Sequence, residues 1–229
     1  MRALDPAQVR QFQRRLRRWY ARHGRDLPWR HTRDPYRILV SEVMLQQTQV
    51  ERVLDYYPRF LRKYPTIEAL ARASEFQVRE AWDGLGYYAR ARNLHRTARQ
   101  VADEHGGRLP DDLEAIQRLP GIGRYTAGAV LSFAYQKDAA ILDTNAARVL
   151  SRVFAVRPRR PKNRLWRRLW QLAEAVTPRS DAGSFNQAIM DLGAMICRAR
   201  SPRCPTCPVK ACCRFSNRLQ LKAEGEKPA

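Results

Sequence analysis

The chain of 229 residues lacks any run of about 20 consecutive apolar residues, which a membrane-spanning helix needs. Its first twenty residues contain no continuous apolar stretch of the kind that a secretory signal carries. Apolar side chains still make up 44% of the chain, and its length is enough to bury one substantial core or two small ones. We therefore expect a soluble, intracellular protein with no membrane partner.

Strand patterns are also missing. No segment combines enrichment in β-branched residues with strict apolar–polar alternation. Apolar side chains instead recur at three- and four-residue steps, as they do from Val9 to Tyr20. Prolines and paired glycines divide the chain into short helices, and a second apolar helix is predicted from about Ile38 to Tyr57. The predicted fold class is all-α.

Acidic residues are few relative to basic ones. Lys and Arg total 43 against 22 Asp and Glu, which gives a net charge of +21. Such an excess attracts a polyanion because binding releases the condensed counterions, and nucleic acid is the usual partner. Basic surfaces also bind membranes and acidic proteins, so the charge favours nucleic acid without proving it.

Cysteine is absent from the first 196 residues, and all five cysteines lie between 197 and 213. In a reducing compartment clustered cysteines bind metal more often than they form disulfides. Cys197, Cys204, Cys207 and Cys213 follow an x6, x2, x5 spacing that predicts one metal centre. Spacing alone allows a four-cysteine zinc site or an iron–sulfur cluster, with Cys212 as an alternative fourth ligand.

Two glycines two residues apart interrupt the helical pattern in Leu119-Pro-Gly-Ile-Gly-Arg-Tyr-Thr-Ala127. Gly121 and Gly123 allow a tight turn that exposes backbone N–H groups at the start of the next helix, which is a ready anion site. A plain helix–turn–helix corner is the alternative. The motif predicts that one DNA phosphate is held here, which fixes register without reading sequence.

Two carboxylates stand out. Asp143 lies where an apolar run gives way to a polar turn and a new helix, so it is either a helix N-cap or an anion held for chemistry. Glu42 lies early in an otherwise apolar helical stretch, a costly place for a charge, where capping together with Ser41 is the alternative.

Several phrases together resemble the endonuclease III and MutY family of DNA glycosylases, over about residues 27–213. They are LPWR ending at Arg30, SEVMLQQTQV from Ser41, the hairpin LPGIGRYTAGA, ILDTNAAR ending at Arg148, WDGLGYYARARNLH from Trp82, FNQAIMDLGA from Phe185, and the cysteine loop. Within this family the sequence most resembles the MutY branch, the adenine glycosylases that act opposite 8-oxoguanine.

The resemblance implies a helix-hairpin-helix DNA glycosylase fold. Residues 24–135 would form a six-helix barrel domain that contains the hairpin. Residues 1–23 and 136–213 would form a cluster domain in which Cys197, Cys204, Cys207 and Cys213 hold a [4Fe–4S] cluster. Residues 214–229 would be a disordered tail. Basic residues of the cluster loop, which are Arg198, Arg200, Arg203 and Lys210, would contact DNA phosphates.

The resemblance also assigns catalytic roles. Asp143, with Asn145 in the same segment, would stabilise the oxocarbenium-like sugar, and Glu42 would protonate the adenine ring nitrogen. Members that cleave the strand carry a Lys at the position of Tyr125, whose amine forms a Schiff base with the sugar. A tyrosine cannot do this, so we expect hydrolysis of the glycosidic bond with at most a weak lyase side activity.

The same match places residues at the DNA. Gln47 and Tyr87 would wedge into the base stack beside the mispair, whereas Arg30 and Gln187 would line the adenine pocket. Gly121 and Gly123 would contact the phosphate. The expected partner is double-stranded DNA with a mispaired or damaged base, bound by a monomer in the bacterial cytoplasm, associated with the nucleoid.

One departure from the family leaves alternatives open. MutY enzymes usually carry a C-terminal domain that recognises 8-oxoguanine, and this chain ends sixteen residues after Cys213. We therefore expect a short or truncated MutY, or a member of the neighbouring branch of mismatch-specific thymine or uracil glycosylases that act opposite guanine. A non-catalytic DNA-binding module and a bifunctional enzyme for oxidised pyrimidines are weaker alternatives, disfavoured by the two carboxylates and by Tyr125.

Overall fold

A computed structural model describes residues 4–156 and 162–218. Throughout these two ranges the regular structure is helical and no strand occurs, which confirms the all-α prediction. The described α-helices are α1 (Pro6–His23), α2 (Pro35–Leu45), α3 (Val50–Lys63), α4 (Ile67–Arg72), α5 (Glu75–Ala81), α6 (Ala89–Glu104), α7 (Leu113–Arg118), α8 (Arg124–Phe133), α9 (Thr144–Val153), α10 (Lys162–Val176) and α11 (Ala182–Met195).

Polar residues immediately before the helices explain where many of them begin. Asp5 and Asp34 precede prolines at the starts of α1 and α2, and their carboxylates accept hydrogen bonds from first-turn N–H groups. Ser74 and Gln77 form a reciprocal capping box at the start of α5. Each cap gives a partner to backbone donors that the helix itself leaves unsatisfied.

The single helix predicted from about Ile38 to Tyr57 is wrong. The chain forms two helices there, because α2 ends at Leu45 and α3 starts at Val50. Between them Gln47 adopts a left-handed backbone with φ of 55°, which no α-helix can continue through. Not every proline divides two helices as the pattern predicts, since Pro58 lies inside α3.

The chain divides into two compact units, which are described separately. The central unit comprises Asp26–Lys137, and the terminal unit comprises Met1–Arg25 together with Asp138–Ala229. In the central unit α2 packs against α3, α6 and α8, and the core includes the edge-to-face pair of Phe60 and Trp82, whose ring centroids are 5.6 Å apart. Helix α6 also packs on α4 and α5.

The terminal unit is built around Phe12 of α1. Its ring makes edge-to-face contacts with Phe154 at 5.6 Å and Phe185 at 5.9 Å between centroids. The same core contains Val209 and Cys213, so the cysteine loop is packed into the unit. Burial of these apolar side chains fixes the loop against α9 and α11.

A glycine allows the closest approach between α9 and α11. A Cβ added to Gly193 would lie 2.6 Å from Asn145 Cβ and 3.0 Å from its Cα. These are closer than real Cβ contacts, and a backbone atom cannot move aside as a flexible side chain can. Gly193 therefore determines how near α11 comes to the segment that follows Asp143.

Two expectations concern residues that the structure describes only in part. The sequence RPRRPKNR at 157–164 is charged and contains two prolines, which predicts a connection between helices, and it lies outside the described residues up to position 161. The tail predicted to be disordered, 214–229, lies outside them from position 219 onward, and its first residues, 214–218, are helical. No helix among the described residues is long and apolar enough to span a membrane.

We predict that Gly193→Ala destabilises the protein by about 1–3 kcal/mol, because the added methyl group forces α11 away from Asn145. Thermal or denaturant unfolding of the two proteins measures the difference. An unchanged unfolding midpoint would show that the two helices separate without strain and would contradict the prediction.

Candidate functional site

The hairpin joins α7 to α8 through a tight turn. Gly121 has a φ of 74°, and a Cβ at this position would lie 2.6 Å from the side-chain nitrogen of Asn93. Gly123 is the N-cap of α8 and has no side chain that could cap the helix. Thr97 of α6 holds the turn by donating to the carbonyl of Pro120 at 3.0 Å. This is the geometry of an anion site at a helix N-terminus.

Glu42 lies in the interior of α2 and is only 4% exposed. The alternative in which it caps the helix together with Ser41 is wrong, because Asp34 is the cap and Ser41 donates to the carbonyl of Ile38. Helix α2 packs against α8, on which Tyr125 is half-buried in the first turn. Burial of a carboxyl group costs free energy, which makes Glu42 a candidate for chemistry.

Gln47 and Tyr87, the predicted wedge residues, both belong to the central unit. Gln47 is exposed, and Tyr87 is 60% exposed, so this tyrosine is not a core aromatic. Both have a left-handed backbone, with φ of 55° and 49°. Arg30, predicted for the base pocket, lies half-buried in a short 3₁₀ turn beside the buried Trp29.

Asp143 is the N-cap of α9 in the terminal unit. One carboxylate oxygen accepts from the backbone N–H of Ala146 at 2.6 Å, and the other accepts from the side-chain amide of Asn145 at 2.9 Å. The capping role is therefore real. It also keeps the carboxylate in one orientation at the positive end of a helix dipole, where an anion is favoured.

A chain of hydrogen bonds leads from this carboxylate to the cysteine loop. The Asn145 side-chain oxygen accepts from Arg148 at 2.6 Å, and Arg148 in turn donates to the carbonyl of Cys197 at 2.7 Å. Arg152, one turn later on α9, donates to the carbonyl of Arg198 at 2.7 Å and lies 3.3 Å from Cys197 Sγ. The predicted catalytic segment and the first predicted cluster ligand are thus joined within one unit.

Gln187 of α11, the other residue predicted for the base pocket, is half-buried in the terminal unit. Its side-chain oxygen accepts a 2.5 Å hydrogen bond from the hydroxyl of Tyr20 on α1. This bond orients the amide so that its N–H₂ group remains the donor for other partners.

One cavity is lined by Cys197, Cys204, Cys207 and Cys213 and closed by Val149, Val209 and Phe215. Cys212 is not part of its lining. That thiol donates to the carbonyl of Val209 at 3.3 Å and lies on a separate groove beside α1. The four predicted ligands therefore surround a common space, and Cys213, not Cys212, is the fourth cysteine of its lining.

Burial, together with the neighbouring thiolates, raises the pKa of Cys207 to about 12 and also raises the pKa of Cys204 and of Cys213. The thiols are thus protonated at neutral pH, and a bound cation would displace their protons. Within the described residues no group of three or more His, Cys, Asp or Glu side chains is arranged so that it could hold a metal ion.

The structure therefore groups the predicted residues within each unit. Glu42, Tyr125 and the wedge residues lie in the central unit, and Asp143, Asn145, Gln187 and the cysteines lie in the terminal unit. Sequence reasoning missed Arg148 and Arg152, which connect α9 to the loop. Their spacing of four residues puts both on one face of α9, and this spacing can be seen in the sequence.

A family model described as the HhH-GPD superfamily of base excision DNA repair proteins matches residues 40–175. The adenine DNA glycosylase of Rattus norvegicus is 45% identical over 224 residues, which cover 94% of this chain. The match covers 43% of the rat protein, so the chain spans less than half of that relative's length.

Two solved structures are similar over nearly their whole length. A thermostable thymine-DNA glycosylase is 33% identical with a TM-score of 0.83, covering 93% of this chain and 98% of that one. A trapped endonuclease III–DNA covalent intermediate has a TM-score of 0.80, covering 95% of this chain and 100% of that one. Its identity of 24% shows the fold alone.

The cap geometry predicts that two substitutions of Asp143 differ in stability. Asparagine is as good an N-cap as aspartate, so Asp143→Asn changes the free energy of unfolding by less than about 0.5 kcal/mol. Asp143→Ala removes the acceptor and costs about 1 kcal/mol. Denaturant unfolding of both variants measures this, and equal losses would contradict a capping role.

Proposed function

Because the chain belongs to the HhH-GPD superfamily of base excision DNA repair proteins, we propose that it is a monofunctional DNA glycosylase. In this proposal it hydrolyses the N-glycosidic bond of adenine mispaired with 8-oxoguanine or guanine in double-stranded DNA. We place it in the bacterial cytoplasm with the nucleoid, acting as a monomer.

The observation that carries the proposal is the burial of Glu42 in α2. Neutral adenine is a poor leaving group, so its removal needs a proton donor at a ring nitrogen. A carboxyl group that is 4% exposed is held away from bulk water, as a general acid requires. In the proposed reaction Glu42 gives its proton to the base as the C1′–N9 bond breaks. It then takes a proton from the water whose oxygen bonds to C1′.

Asp143 would act on the sugar, whereas Glu42 acts on the base. Positive charge develops on the sugar as the base leaves, and an ionised carboxylate stabilises it. The hydrogen bonds from Ala146 and Asn145 fix the orientation of that carboxylate before substrate binds. Preorganisation of this kind avoids the cost of turning the charge toward the sugar during the reaction.

Tyr125 determines what happens after the base has left. A phenol cannot form a Schiff base with the sugar, so the product is an abasic site in an intact strand. The enzyme would therefore hydrolyse only the glycosidic bond, and strand cleavage would need a separate step, such as treatment with alkali.

Backbone and basic groups would hold the DNA. The uncapped first turn of α8, behind Gly121 and Gly123, supplies N–H donors for one phosphate. Arg198, Arg200 and Arg203 of the cysteine loop are exposed, and Lys210 is half-buried, which leaves all four cations on the loop surface. Gln47 and Tyr87 would fill the space of the extruded base, and Arg30 and Gln187 would contact that base.

The cysteine cavity supports a [4Fe–4S] cluster held by Cys197, Cys204, Cys207 and Cys213. The four thiols line one shared cavity. Their x6, x2, x5 spacing resembles the [4Fe–4S] loop of the endonuclease III and MutY family. When bound, the cluster would supply crosslinks that keep the basic loop in one conformation.

A second candidate is a thymine or uracil glycosylase that acts opposite guanine. It is favoured by the structural similarity to the thymine-DNA glycosylase, which has a TM-score of 0.83 over 93% of this chain. The 45% identity to the adenine enzyme, against 33% to the thymine enzyme, keeps adenine as the first proposal.

We predict strand breaks only after alkali, and only in duplexes that contain A opposite 8-oxoguanine or A opposite G. The assay uses these two together with duplexes that contain T opposite G and thymine glycol. Release of thymine opposite guanine would establish the second candidate instead. Breaks without alkali, or efficient trapping of a covalent adduct by borohydride, would contradict the monofunctional mechanism.

The variant Asp143→Asn separates the chemical role of this residue from its structural role, because asparagine keeps the helix cap and removes the charge. Excision should fall by at least about a thousandfold, while binding to the same duplex is retained. Turnover close to that of the unmodified protein would defeat the role assigned to Asp143.

The two adjacent cysteines offer a matched test of the cluster. We predict that Cys213→Ser loses the broad visible absorption and the iron of anaerobically purified protein, whereas Cys212→Ser keeps both. The reason is that only Cys213 lines the shared cavity. Stoichiometric zinc in place of iron, or equal loss in the two variants, would overturn the assignment.

A further inference from the structure

Arg90, in the first turn of α6, is a buried arginine with 8% of its surface exposed. Its guanidinium faces backbone carbonyl groups from two separate segments of the central unit. Nη1 lies 3.0, 2.6 and 2.6 Å from the carbonyl oxygens of Val43, Met44 and Gln46, and Nη2 lies 3.4 and 3.0 Å from those of Leu85 and Gly86. One side chain thus connects the end of α2 to the loop before α6.

Two of these carbonyls directly precede Gln47 and Tyr87. The Gln46 carbonyl belongs to the peptide unit that enters Gln47, and the Gly86 carbonyl belongs to the unit that enters Tyr87. Rotation of each peptide unit changes φ of the residue that follows it. By holding both carbonyls, the guanidinium holds both residues in the left-handed region, which non-glycine residues rarely adopt.

Further contacts secure Tyr87 in particular. The backbone N–H of Arg90 donates to the Tyr87 carbonyl at 2.9 Å, so the peptide units on both sides of Tyr87 are held. The guanidinium carbon also lies 5.4 Å from the ring centroids of both Trp82 and Tyr87. Trp82 donates to the same Gly86 carbonyl at 3.1 Å.

The side chains of the two residues face the solvent while their backbones are fixed from the buried side. Tyr87 is 60% exposed and Gln47 is exposed. Residues that enter a base stack lose less conformational entropy on binding when their backbones are already ordered. An arginine suits this task because its planar fork presents donors in two directions, which the single ammonium of lysine does not.

We propose that Arg90 is a positioning residue that sets Gln47 and Tyr87 together in the conformation that opens the base stack. The inference rests on the proposed function, in which these two residues insert beside the mispair. Arg90 itself touches neither the base nor the sugar in this assignment. Its effect is on unstacking of the target base and not on the strength of DNA binding.

The test compares Arg90→Lys with His95→Gln. His95 is a matched control because it is buried on the same helix and contacts the carbonyl of Ala73, away from both wedge residues. The probe is a duplex with 2-aminopurine next to the mispaired adenine, whose fluorescence rises when it unstacks. The measurements are duplex affinity, fluorescence amplitude and single-turnover excision, with thermal unfolding of each variant.

We expect Arg90→Lys to bind the duplex within about threefold of the unmodified protein, because phosphate contacts dominate affinity. Its fluorescence amplitude should fall by half or more, and excision should slow by about tenfold to a hundredfold. A second mismatch that opens the neighbouring base pair should restore most of the excision rate. His95→Gln should lower the unfolding temperature and leave the fluorescence amplitude unchanged.

The proposal would be overturned if Arg90→Lys gave the same fluorescence amplitude as the unmodified protein. It would also be overturned if His95→Gln lost as much fluorescence amplitude as Arg90→Lys. If Arg90→Lys does not fold, Arg90→Gln, which buries no charge, takes its place with the same readouts. The fluorescence change needs no excision, so failure of the proposed activity is distinguishable from failure of the positioning role.

Discussion

Backbone carbonyl groups at helix ends and in buried turns need hydrogen-bond donors, and in both units arginine side chains provide them. Arg90 serves the end of α2 and the loop before α6, and Arg148 and Arg152 serve the start of the cysteine loop. These contacts place the residues on which the proposed chemistry depends. Part of the large positive charge therefore holds the protein itself together and is not available to DNA.

The start of α9 is a position with an observed structural role and a proposed chemical one. Asp143 caps the helix, and that capping geometry is also what would keep its carboxylate aimed at a sugar. Gly193 allows α11 to approach this segment, and Asn145 and Arg148 extend its hydrogen bonds to the cysteine loop. The hydrogen bonds that form the cap would therefore also serve the proposed catalytic role.

Motifs with a local cause could be predicted from the sequence. The all-α fold follows from apolar spacing, the glycine turn follows from Gly121 and Gly123, and a metal centre in the cysteine loop is predicted from the clustering of the cysteines. The break after Leu45 could not be found this way, because Gln47 has no intrinsic preference for a left-handed backbone. In the folded chain Arg90, more than 40 positions later, donates to the carbonyl that precedes it. The conformational propensity of a single residue carries no information about such long-range contacts.

The sequence by itself determined the family, the all-helical class, the identity of the candidate carboxylates and the absence of a lysine at position 125. These depend on residue type and spacing, which are local properties. Only the tertiary structure decided that Glu42 is buried inside a helix instead of capping it, that Tyr87 faces solvent, and that Cys213 and not Cys212 shares the cavity. Each of these depends on which distant segments pack against the residue, and burial is a property of the packed chain.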